Sequence, residues 1–419
     1  MTLTKKIIIL MVLGAVVGLT FNLTGWNNIE FIDTYVVGGL FHVVGQLFIN
    51  SLKMIMIPLV FVSLFCGTTA LRDPAMLGKI GGRTLAFYLM TTAIALVMAL
   101  SFALMIEVGA GADITKNPGY VVKEGKSFIA VILSIIDNPV KAMAEGNLLA
   151  VIMFSILLGL SSTFAGKPGE QLIDFFNSLN AVIMKLVMLI MHLAPYAVFA
   201  ILAKVCAELG INAIKSLTGY FFTVLSLLIF HALVVYPLLL KLLSGLNPLT
   251  FLKKMESAVT FAFGTSSSNA TIPVTLRTVT ERMGVKKSVA SFTVPFGATI
   301  NMDGTAIMQG VATVFIANAY GVDLSNTQLM MVVLMATMAS IGSAGVPSAG
   351  LVMLQAVLYQ AGLPVEGIGL ILGIDRLLDM TRTAVNITGD AAVTCIVAKS
   401  QNQFDQTVFD DPEAGVIKE

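Results

Sequence analysis

Residues 338–350 read MASIGSAGVPSAG, and they lie in the middle of a 42-residue stretch, 324–365, that contains no charged residue. A bilayer-spanning helix needs only about 20 apolar residues, so this stretch is about twice as long as one crossing requires. Its centre is interrupted by residues that disfavour a continuous helix, namely Gly342, Gly345, Pro347 and Gly350. Irregular backbone is tolerated at membrane depth only where protein or a water-filled cavity covers it. The stretch therefore predicts a helical hairpin that enters and leaves the membrane on the same side.

The composition of the whole chain excludes an ordinary soluble domain. Hydrophobic residues make up 57% and charged residues 12% of the 419 residues, against roughly 45–50% and about 25% in soluble domains. A formal net charge of +1 gives no bulk positive charge for binding nucleic acid. The cysteines and histidines are widely separated, so we predict neither a disulfide framework nor a zinc site from Cys66, Cys206, Cys395, His42, His192 and His231.

Charge-poor stretches predict further transmembrane helices in the first 250 residues. The predicted spans are 7–29, 34–52 joined to 54–71 through Lys53, 84–106, 146–166, 186–203 and 216–240. Lysines precede the first span and basic residues fill the loop after the second, so the positive-inside rule predicts a cytoplasmic N-terminus. The sequence turns polar from Lys399, which predicts a cytoplasmic C-terminal tail over 399–419.

The anatomy of the uncharged stretch is repeated earlier in the chain. Residues 257–276 are interrupted by a Gly, Ser and Pro-containing break between Gly264 and Pro273. Each predicted hairpin is followed by a helix that carries polar groups, at 301–305 after the first and at 375–390 after the second. Interrupted segments in corresponding positions of two repeats are the best sequence indication of a transporter's binding site.

Six polar residues share one face of the last long helix. They are separated by intervals of 3, 4 or 1 residues, as Asp375, Asp379, Arg382, Thr383, Asn386 and Asp390. A charge at the middle of a membrane helix costs at least about 2.5–3.5 kcal/mol, so this face needs partners or a wet cavity. Arg382 can bind a carboxylate, Asp379 an ammonium and Asn386 a second carboxylate. An acidic amino acid presents all three groups.

Two further features extend this pattern. The serine-rich tip at 266–268 offers hydroxyls and backbone N–H groups near a half-helix N-terminus, where a carboxylate is favoured. Asp303 and Asp390 have no obvious organic partner, and with freed carbonyls near 301–305 they predict an oxygen cage for a hard cation such as Na⁺.

Other interpretations of the polar face remain open at the level of residues alone. The charges could form an ion-pair network that only holds helices together. Asp303 and Asp390 could act as the acid and base of an intramembrane hydrolase, although this leaves Arg382 and the hairpins unexplained. A channel-like conductor is a third possibility.

The motifs together resemble those of the dicarboxylate/amino acid:cation symporter family. They are NMDGT at 301–305, the serines at 266–268, GVP at 345–347 and DMTRTAVNITGD at 379–390. The resemblance implies a homotrimeric, all-α polytopic membrane protein with eight transmembrane helices, two re-entrant hairpins, inverted repeats and an elevator mechanism. It implies a transporter of the cell membrane and not an enzyme.

The resemblance also implies a division of the chain. Residues 1–250 would hold six transmembrane helices, of which helices 1, 2, 4 and 5 form the trimerisation scaffold and helices 3 and 6 join the transport domain. Residues 251–398 would form the transport core of hairpin 1, helix 7, hairpin 2 and helix 8, and 399–419 the cytoplasmic tail.

Site residues carry over from the family motifs one by one. The substrate site would comprise Ser267, Ser268, Thr305, Gly345, Asp379, Arg382, Thr383 and Asn386. One co-transported sodium ion would bind Asn301, Asn386 and Asp390, and another Tyr88, Thr91, Thr92, Asn301 and Asp303. A third would bind main-chain carbonyls of Thr299, Met302, Ser340, Ile341 and Ser343.

Three positions depart from the family pattern. Gln309 replaces a glutamate that other members link to proton and potassium coupling, which favours sodium-only coupling. An additional arginine that relatives carry near the substrate is absent at Ser266 and Met380, and Arg376 is the candidate to reach the same space. The resulting hypothesis is a sodium-coupled symporter of aspartate or glutamate, and the alternative is a C4-dicarboxylate or proton-coupled glutamate symporter.

Overall fold

The computed structural model describes residues 3–69, 80–110, 133–342, 345 and 347–415. Within these ranges the chain is helical and contains no β-strand, apart from one isolated antiparallel bridge between Val285 and Phe404. This confirms the predicted all-α class.

The described ranges contain a succession of helices. In chain order they are α1 (Leu3–Thr24), α2 (Ile32–Thr69), α3 (Gly82–Met105), α4 (Pro139–Glu145), α5 (Leu148–Phe164), α6 (Lys167–Met191), α7 (Ala194–Leu209), α8 (Ile211–Ser244), α9 (Pro248–Thr265), α10 (Ser268–Arg277), α11 (Lys287–Ile300), α12 (Asp303–Ala319), α13 (Asn326–Gly342), α14 (Ala349–Gln360), α15 (Ile368–Ser400) and α16 (Gln406–Asp410). Helices α2 and α8 contain π-helical segments, Ile32–Phe41 and His231–Val235, and a π-helical turn Thr278–Arg282 continues α10.

Five helices in the described ranges are long and apolar enough to cross a membrane. They are Lys5–Thr24, Ile32–Thr69, Gly82–Met105, Lys167–Met191 and Ile211–Ser244. The 38-residue segment Ile32–Thr69 confirms that the two predicted stretches around Lys53 form one helix. The chain is therefore an integral membrane protein.

One predicted span is wrong. Residues 186–203 straddle a helix boundary, because α6 ends at Met191 and α7 begins at Ala194 with Pro195 in its first turn. Proline is tolerated in the first turn of a helix, where its missing N–H has no partner in any case. The polar first half of α6 hid its extent from a search for charge-free stretches.

Both predicted breaks are present. Helices α9 and α10 pack against each other and are joined at Ser266 and Ser267, which we call the first tip. Helices α13 and α14 also pack together, and the described residues of the second tip are Gly345, Pro347 and Ser348. Ser266 and Ser348 have φ angles of 51° and 63°, a left-handed conformation that is uncommon for residues with a side chain. Such strained positions often occur at functional sites.

The last long helix, α15, lies at the centre of the C-terminal part of the molecule. It packs against α8, α9, α11 and α12, and most of its residues between Leu378 and Ala398 are buried. Elsewhere α1 packs mainly on α7, while α2 packs on α5 and α6. The polar face of α15 is therefore enclosed by protein and not by lipid.

The polar C-terminal segment is docked onto the molecule. The Nζ of Lys254, in α9, donates hydrogen bonds to the carbonyl oxygens of Arg282, Val408 and Asp411 at 2.5, 2.8 and 2.8 Å. Phe409 is fully buried beside this lysine. Asp405 caps α16, and the hydrogen bonds from Thr407 and Val408 lower the pKa of its carboxyl group.

Candidate functional site

A small cavity lies where the two tips meet α12 and α15. Its lining consists of Ser266, Ser268, Met302, Thr305, Gly345, Ala349, Gly350, Asp379, Arg382, Thr383 and Asn386. The structure thus brings together seven of the eight residues predicted for the substrate site, and Ser267 is the exception. Residues separated by more than 100 positions in the chain meet because both interrupted helix pairs end at the same place.

Ser267 does not line the cavity but joins the two tips. Its Oγ donates a hydrogen bond to the carbonyl oxygen of Gly345 at 2.7 Å and accepts one from the backbone N–H of Ala270 at 3.2 Å. The second bond caps the N-terminus of α10. The backbone N–H of Asn269 also donates to the Gly345 oxygen, at 3.0 Å. The two interrupted helix pairs therefore touch through two donors that share the carbonyl oxygen of Gly345.

Arg382 is the only arginine that lines the cavity in the described structure, and its side chain is 2% exposed. Its Nη1 and Nη2 bind the two carboxylate oxygens of Asp375 at 2.5 and 3.3 Å. Its Nη2 also donates to Oδ1 of Asp379 at 2.7 Å. Asp375, which does not line the cavity, thus holds the planar guanidinium in a fixed orientation. This geometry suits bidentate recognition of a carboxylate.

Asp379 connects the arginine to the second tip. Its Oδ2 accepts a hydrogen bond from the backbone N–H of Ser348 at 3.0 Å and one from Nη1 of Arg376 at 3.3 Å. Arg376 therefore pairs with Asp379, as the spacing of three residues allows. Any ligand group that binds Asp379 must share this carboxylate with the second tip.

The four charges of this network cancel. Asp375 and Asp379 are balanced by Arg376 and Arg382, so the polar face contains an internal ion-pair network, as the structural alternative predicts. The network is not sealed from the tips, however, because Arg382 and Asp379 line the same cavity as Ser266, Gly345 and Gly350. The internal ion pair is therefore in contact with the cavity on one side.

The remaining cavity residues approach one another closely because small groups such as glycine lie opposite them. A Cβ atom added to Gly350 would lie 2.9 Å from Cγ2 of Thr305 and 3.7 Å from Nη2 of Arg382, so glycine leaves room beside the guanidinium. The Oγ1 of Thr383 donates to the carbonyl oxygen of Asp379 at 2.8 Å. Asn386 accepts a hydrogen bond from the backbone N–H of Gly304 at 2.7 Å, which ties α15 to the start of α12.

The first predicted sodium set is assembled next to the cavity. The Nδ2 of Asn301 donates to Oδ1 of Asp390 at 2.9 Å and to the backbone oxygen of Asn386 at 3.2 Å. All three residues are at most 3% exposed. Carboxylate, amide and carbonyl oxygens are the ligands that hard cations prefer.

Most of the second predicted set is also brought together. Thr92 Oγ1 donates to Oδ1 of Asp303 at 2.5 Å, and Thr91 Oγ1 donates to Oδ1 of Asn301 at 3.3 Å. The hydroxyl of Tyr88 instead donates to the backbone oxygen of Thr293 at 2.9 Å. It lies beside Asp390, since both groups would contact a Cβ atom added to Gly297.

The third predicted set is described in part. Ser340 Oγ donates to the backbone oxygen of Ile300 at 3.1 Å and accepts from the backbone N–H of Met302 at 3.1 Å, so α13 contacts the break between α11 and α12. The Oγ1 of Thr299 bonds within its own helix, and Ile341 is partly buried. Ser343 lies outside the described residues.

Sequence reasoning missed three contributions to this region. Asp375 belonged to the predicted polar face without a role, although its spacing of seven from Arg382 places them two turns apart on one side. Tyr236 and His231 contact Asp303 from α8, and no motif indicated them. Among the described residues, no group of three or more His, Cys, Asp or Glu side chains could hold a metal ion.

Comparison with known proteins identifies the family. The model of the sodium:dicarboxylate symporter family matches residues 3–400. The chain is 32% identical over 418 residues to the proton/glutamate-aspartate symporter of Escherichia coli, covering 97% of this chain and 94% of that protein. It is 33% identical over 425 residues to the C4-dicarboxylate transport protein of Bacillus subtilis, with 99% and 97% coverage. It is 37% identical over 402 residues to an excitatory amino acid transporter of Caenorhabditis elegans, with 84% and 80% coverage. These matches confirm the resemblance inferred from the motifs, and the chain belongs to the sodium:dicarboxylate symporter family.

Proposed function

We propose that the protein is a secondary transporter that brings aspartate or glutamate into the cell together with sodium ions. One observation carries the proposal: Arg382 and Asp379, of opposite charge and 2.7 Å apart, line a single cavity between the two tips. A zwitterion with an acidic side chain matches both charges, whereas a neutral or purely cationic ligand brings no carboxylate to Arg382.

The substrate would exchange with the internal ion pair. Arg382 and Thr305 would bind the side-chain carboxylate and Asp379 the ammonium group, while Asn386 and the first tip, through Ser268 and backbone groups, would bind the main carboxylate. Asp375 holds Arg382 through both of its oxygens. The guanidinium therefore keeps its orientation when its bond to Asp379 gives way to the ligand, which lowers the cost of ordering the site.

Sodium is the proposed coupling ion because the groups next to the cavity are oxygen-rich. Asn301, Asn386 and Asp390 form one proposed site, and Asp303 with Thr91, Thr92, Asn301 and Tyr88 another. A third proposed site uses main-chain carbonyls of Thr299, Met302, Ser340, Ile341 and Ser343. The fully buried Asp303 and Asp390 support this, since a charge at membrane depth needs a compensating partner.

The proposed architecture has eight transmembrane helices and two re-entrant hairpins related by inverted repeats. The packing supports two groups of helices, because α1, α2, α5, α6 and α7 contact mainly one another, whereas α3, α8 and α9 to α14 pack mainly on one another and on α15. The first group would be the trimerisation scaffold and the second a transport domain that moves as an elevator. Both chain termini would be cytoplasmic.

A homotrimer is part of the proposal. Helix α6 presents apolar side chains to the outside at spacings of 7, 4 and 3 residues, with Phe175, Val182, Leu186 and Leu189 between 40% and 67% exposed. Such a stripe on one helical face suits either lipid or another subunit. Cross-linking in native membranes would measure the number of subunits.

A second candidate is a C4-dicarboxylate symporter or a proton-coupled glutamate symporter. The names of the Bacillus subtilis and Escherichia coli relatives favour it. Asp379 argues for an amino acid, because a dicarboxylate brings no ammonium group and its second carboxylate would lie near this anion.

Binding measurements across four ligands separate these candidates. Calorimetry of the purified protein with aspartate, glutamate, succinate and serine would be performed with and without sodium. The proposal predicts that aspartate or glutamate binds only with sodium and that succinate and serine bind at least 10-fold more weakly. Tight succinate binding, or aspartate binding that is indifferent to sodium, would favour the second candidate.

A further inference from the structure

A tyrosine on α8 holds one of the proposed sodium ligands. The carboxylate of Asp303 is fully buried, and its two oxygens bind hydroxyl groups of different helices. Thr92 donates to Oδ1 from α3, and the hydroxyl of Tyr236 donates to Oδ2 from α8 at 2.8 Å. Tyr236 itself is 1% exposed. The hydrogen bond from Tyr236 therefore fixes the position of the Asp303 carboxylate and restricts its rotation.

A widened turn of α8 brings the tyrosine to this position. Residues His231–Val235 form a π-helical turn, in which the N–H of Tyr236 bonds the carbonyl oxygen of His231 five residues earlier. Pro237 follows directly and lacks the N–H that an α-helix would require. Residues five apart lie far apart around an α-helix but share a face of a π-helical turn, and such turns often occur at functional sites.

The histidine at the start of this turn supports the tyrosine ring. The rings of His231 and Tyr236 meet edge to face with centroids 4.5 Å apart. The histidine Nε2 is 3.5 Å from Oδ2 of Asp303, and neither ring nitrogen has a hydrogen-bond partner among the described residues. The tyrosine hydroxyl is thus the group of α8 that binds this oxygen, while the imidazole limits where the phenol ring can move.

We propose that Tyr236, delivered by the π-helical turn before Pro237, is a positioning residue that sets the sodium affinity of the site at Asp303. The inference rests on the proposed function, because it requires Asp303 to bind sodium. A side chain that orients a metal-binding carboxylate typically contributes about 10–100-fold to metal affinity. Because Tyr236 is absent from the cavity lining, substrate contacts do not depend on it.

The test is a sodium titration of aspartate binding by purified wild-type protein and the Tyr236→Phe variant. The variant keeps the ring and loses only the hydroxyl, so we expect the half-saturating sodium concentration to rise roughly 10-fold. At saturating sodium, aspartate affinity should stay within about 2-fold of the wild type. If the substitution only loosened the packing, the affinities for sodium and for aspartate would fall together. Alternatively, the melting temperature would fall while the sodium titration stayed unchanged.

A matched control is available on the same helix. Tyr220 of α8 is also fully buried, and its hydroxyl has no hydrogen-bond partner among the described residues. The Tyr220→Phe variant should therefore titrate with sodium as the wild type does. A second variant, Pro237→Ala, permits a regular helical turn and should raise the half-saturating sodium concentration with the hydroxyl intact.

The outcomes distinguish this inference from the proposed function. A sodium-dependent wild type with an unshifted Tyr236→Phe titration would overturn the inference alone, as would an equal shift in Tyr220→Phe. A shift in Tyr236→Phe without one in Pro237→Ala would overturn the role of the π-helical turn. A wild type that binds aspartate without sodium would overturn the proposed function itself.

Discussion

At the scale of single residues, the buried guanidinium of Arg382 decides what the cavity can hold. A buried charge is stable only when partners offset its loss of hydration, and Asp375 and Asp379 provide this within one helix. Asp375 binds it from outside the cavity, whereas Asp379 lines the cavity together with the arginine. The first partner therefore supports the arginine, and in the proposed function the second would compete with the substrate for it.

We predict that Arg382→Ala abolishes binding of acidic amino acids, with affinity reduced at least about 100-fold. Truncating one member of a buried ion pair costs about 3–5 kcal/mol, and the variant also lacks the cation that the side-chain carboxylate needs. Serine should still bind detectably, which would show that the variant is folded. Arg277→Ala, which removes an arginine from an exposed pair with Glu281, is the control. Unchanged aspartate affinity in Arg382→Ala would contradict the assignment.

A second prediction concerns the cation site. Asp390→Asn keeps the hydrogen bond to Asn301 possible but removes the negative charge, so aspartate binding should need roughly 10-fold more sodium. Asp323→Asn, at an exposed aspartate, should leave the sodium titration unchanged. If both variants titrate like the wild type, Asp390 does not bind the ion.

Site residues could be predicted from the sequence where helical spacing or a motif indicated them. The face from Asp375 to Asp390 follows from its spacing, and its burial was predicted from the cost of exposing charge to lipid. The pairing of Arg382 with Asp375 was not predicted, because helical spacing suggests pairs three or four residues apart and these two residues are seven apart. Tyr236 was missed because a π-helical turn changes which residues share a face, and periodicity analysis assumes a regular helix.

At the scale of elements, the two tips contact each other beside the cavity. The hydroxyl of Ser267 in the first tip and the backbone N–H of Asn269 in α10 both donate to the carbonyl oxygen of Gly345. The position requires glycine, because an added Cβ would lie 2.7 Å from the Ala298 oxygen and 2.8 Å from Oδ1 of Asn269. Backbone atoms cannot give way as a flexible side chain would, so a larger residue must displace the second tip.

We therefore predict that Gly345→Ala weakens aspartate binding roughly 10-fold or more, since overpacking of this kind typically costs about 1–3 kcal/mol. Stopped-flow dissociation should show faster release of substrate. Gly264→Ala, two residues before the first tip, is the matched control because no heavy atom lies within 4 Å of its added Cβ. Equal release rates in the two variants would show that the tips do not close the cavity.

The elements were predicted unevenly from the sequence. Both breaks follow from Gly, Ser and Pro in otherwise apolar stretches, and the structure has them at the expected places. The boundary between α6 and α7 was missed, because a charge-free run across His192 and Leu193 hides two helix ends. Charge counting finds lipid-compatible stretches, but helix ends depend on caps and turn geometry.

At the scale of the whole molecule, the C-terminal segment is joined to the base of the first interrupted helix pair. Lys254 of α9 is 2% exposed and donates hydrogen bonds to three backbone oxygens, two of them in the C-terminal segment. The backbone of Lys286 and Asp405 adds hydrogen bonds across the bridge between Val285 and Phe404. The predicted tail is thus a packed part of the structure over its described residues.

We predict that Lys254→Met lowers the melting temperature by a few degrees, because each buried carbonyl that loses its charged donor costs about 1–3 kcal/mol. Lys253→Met, at the exposed neighbouring position, should leave the melting temperature unchanged. Thermal unfolding of both variants in the same detergent would measure the difference, and equal melting temperatures would show that the docked segment adds nothing to stability.

Coupling between the charged cavity and sodium is the central claim, and a transport measurement tests it most directly. Purified protein would be reconstituted into liposomes, and uptake of labelled aspartate and glutamate would be measured with sodium outside and with potassium or choline in its place. We expect accumulation above the external concentration only under an inward sodium gradient. Equal accumulation without sodium, or accumulation driven by a proton gradient alone, would contradict the account.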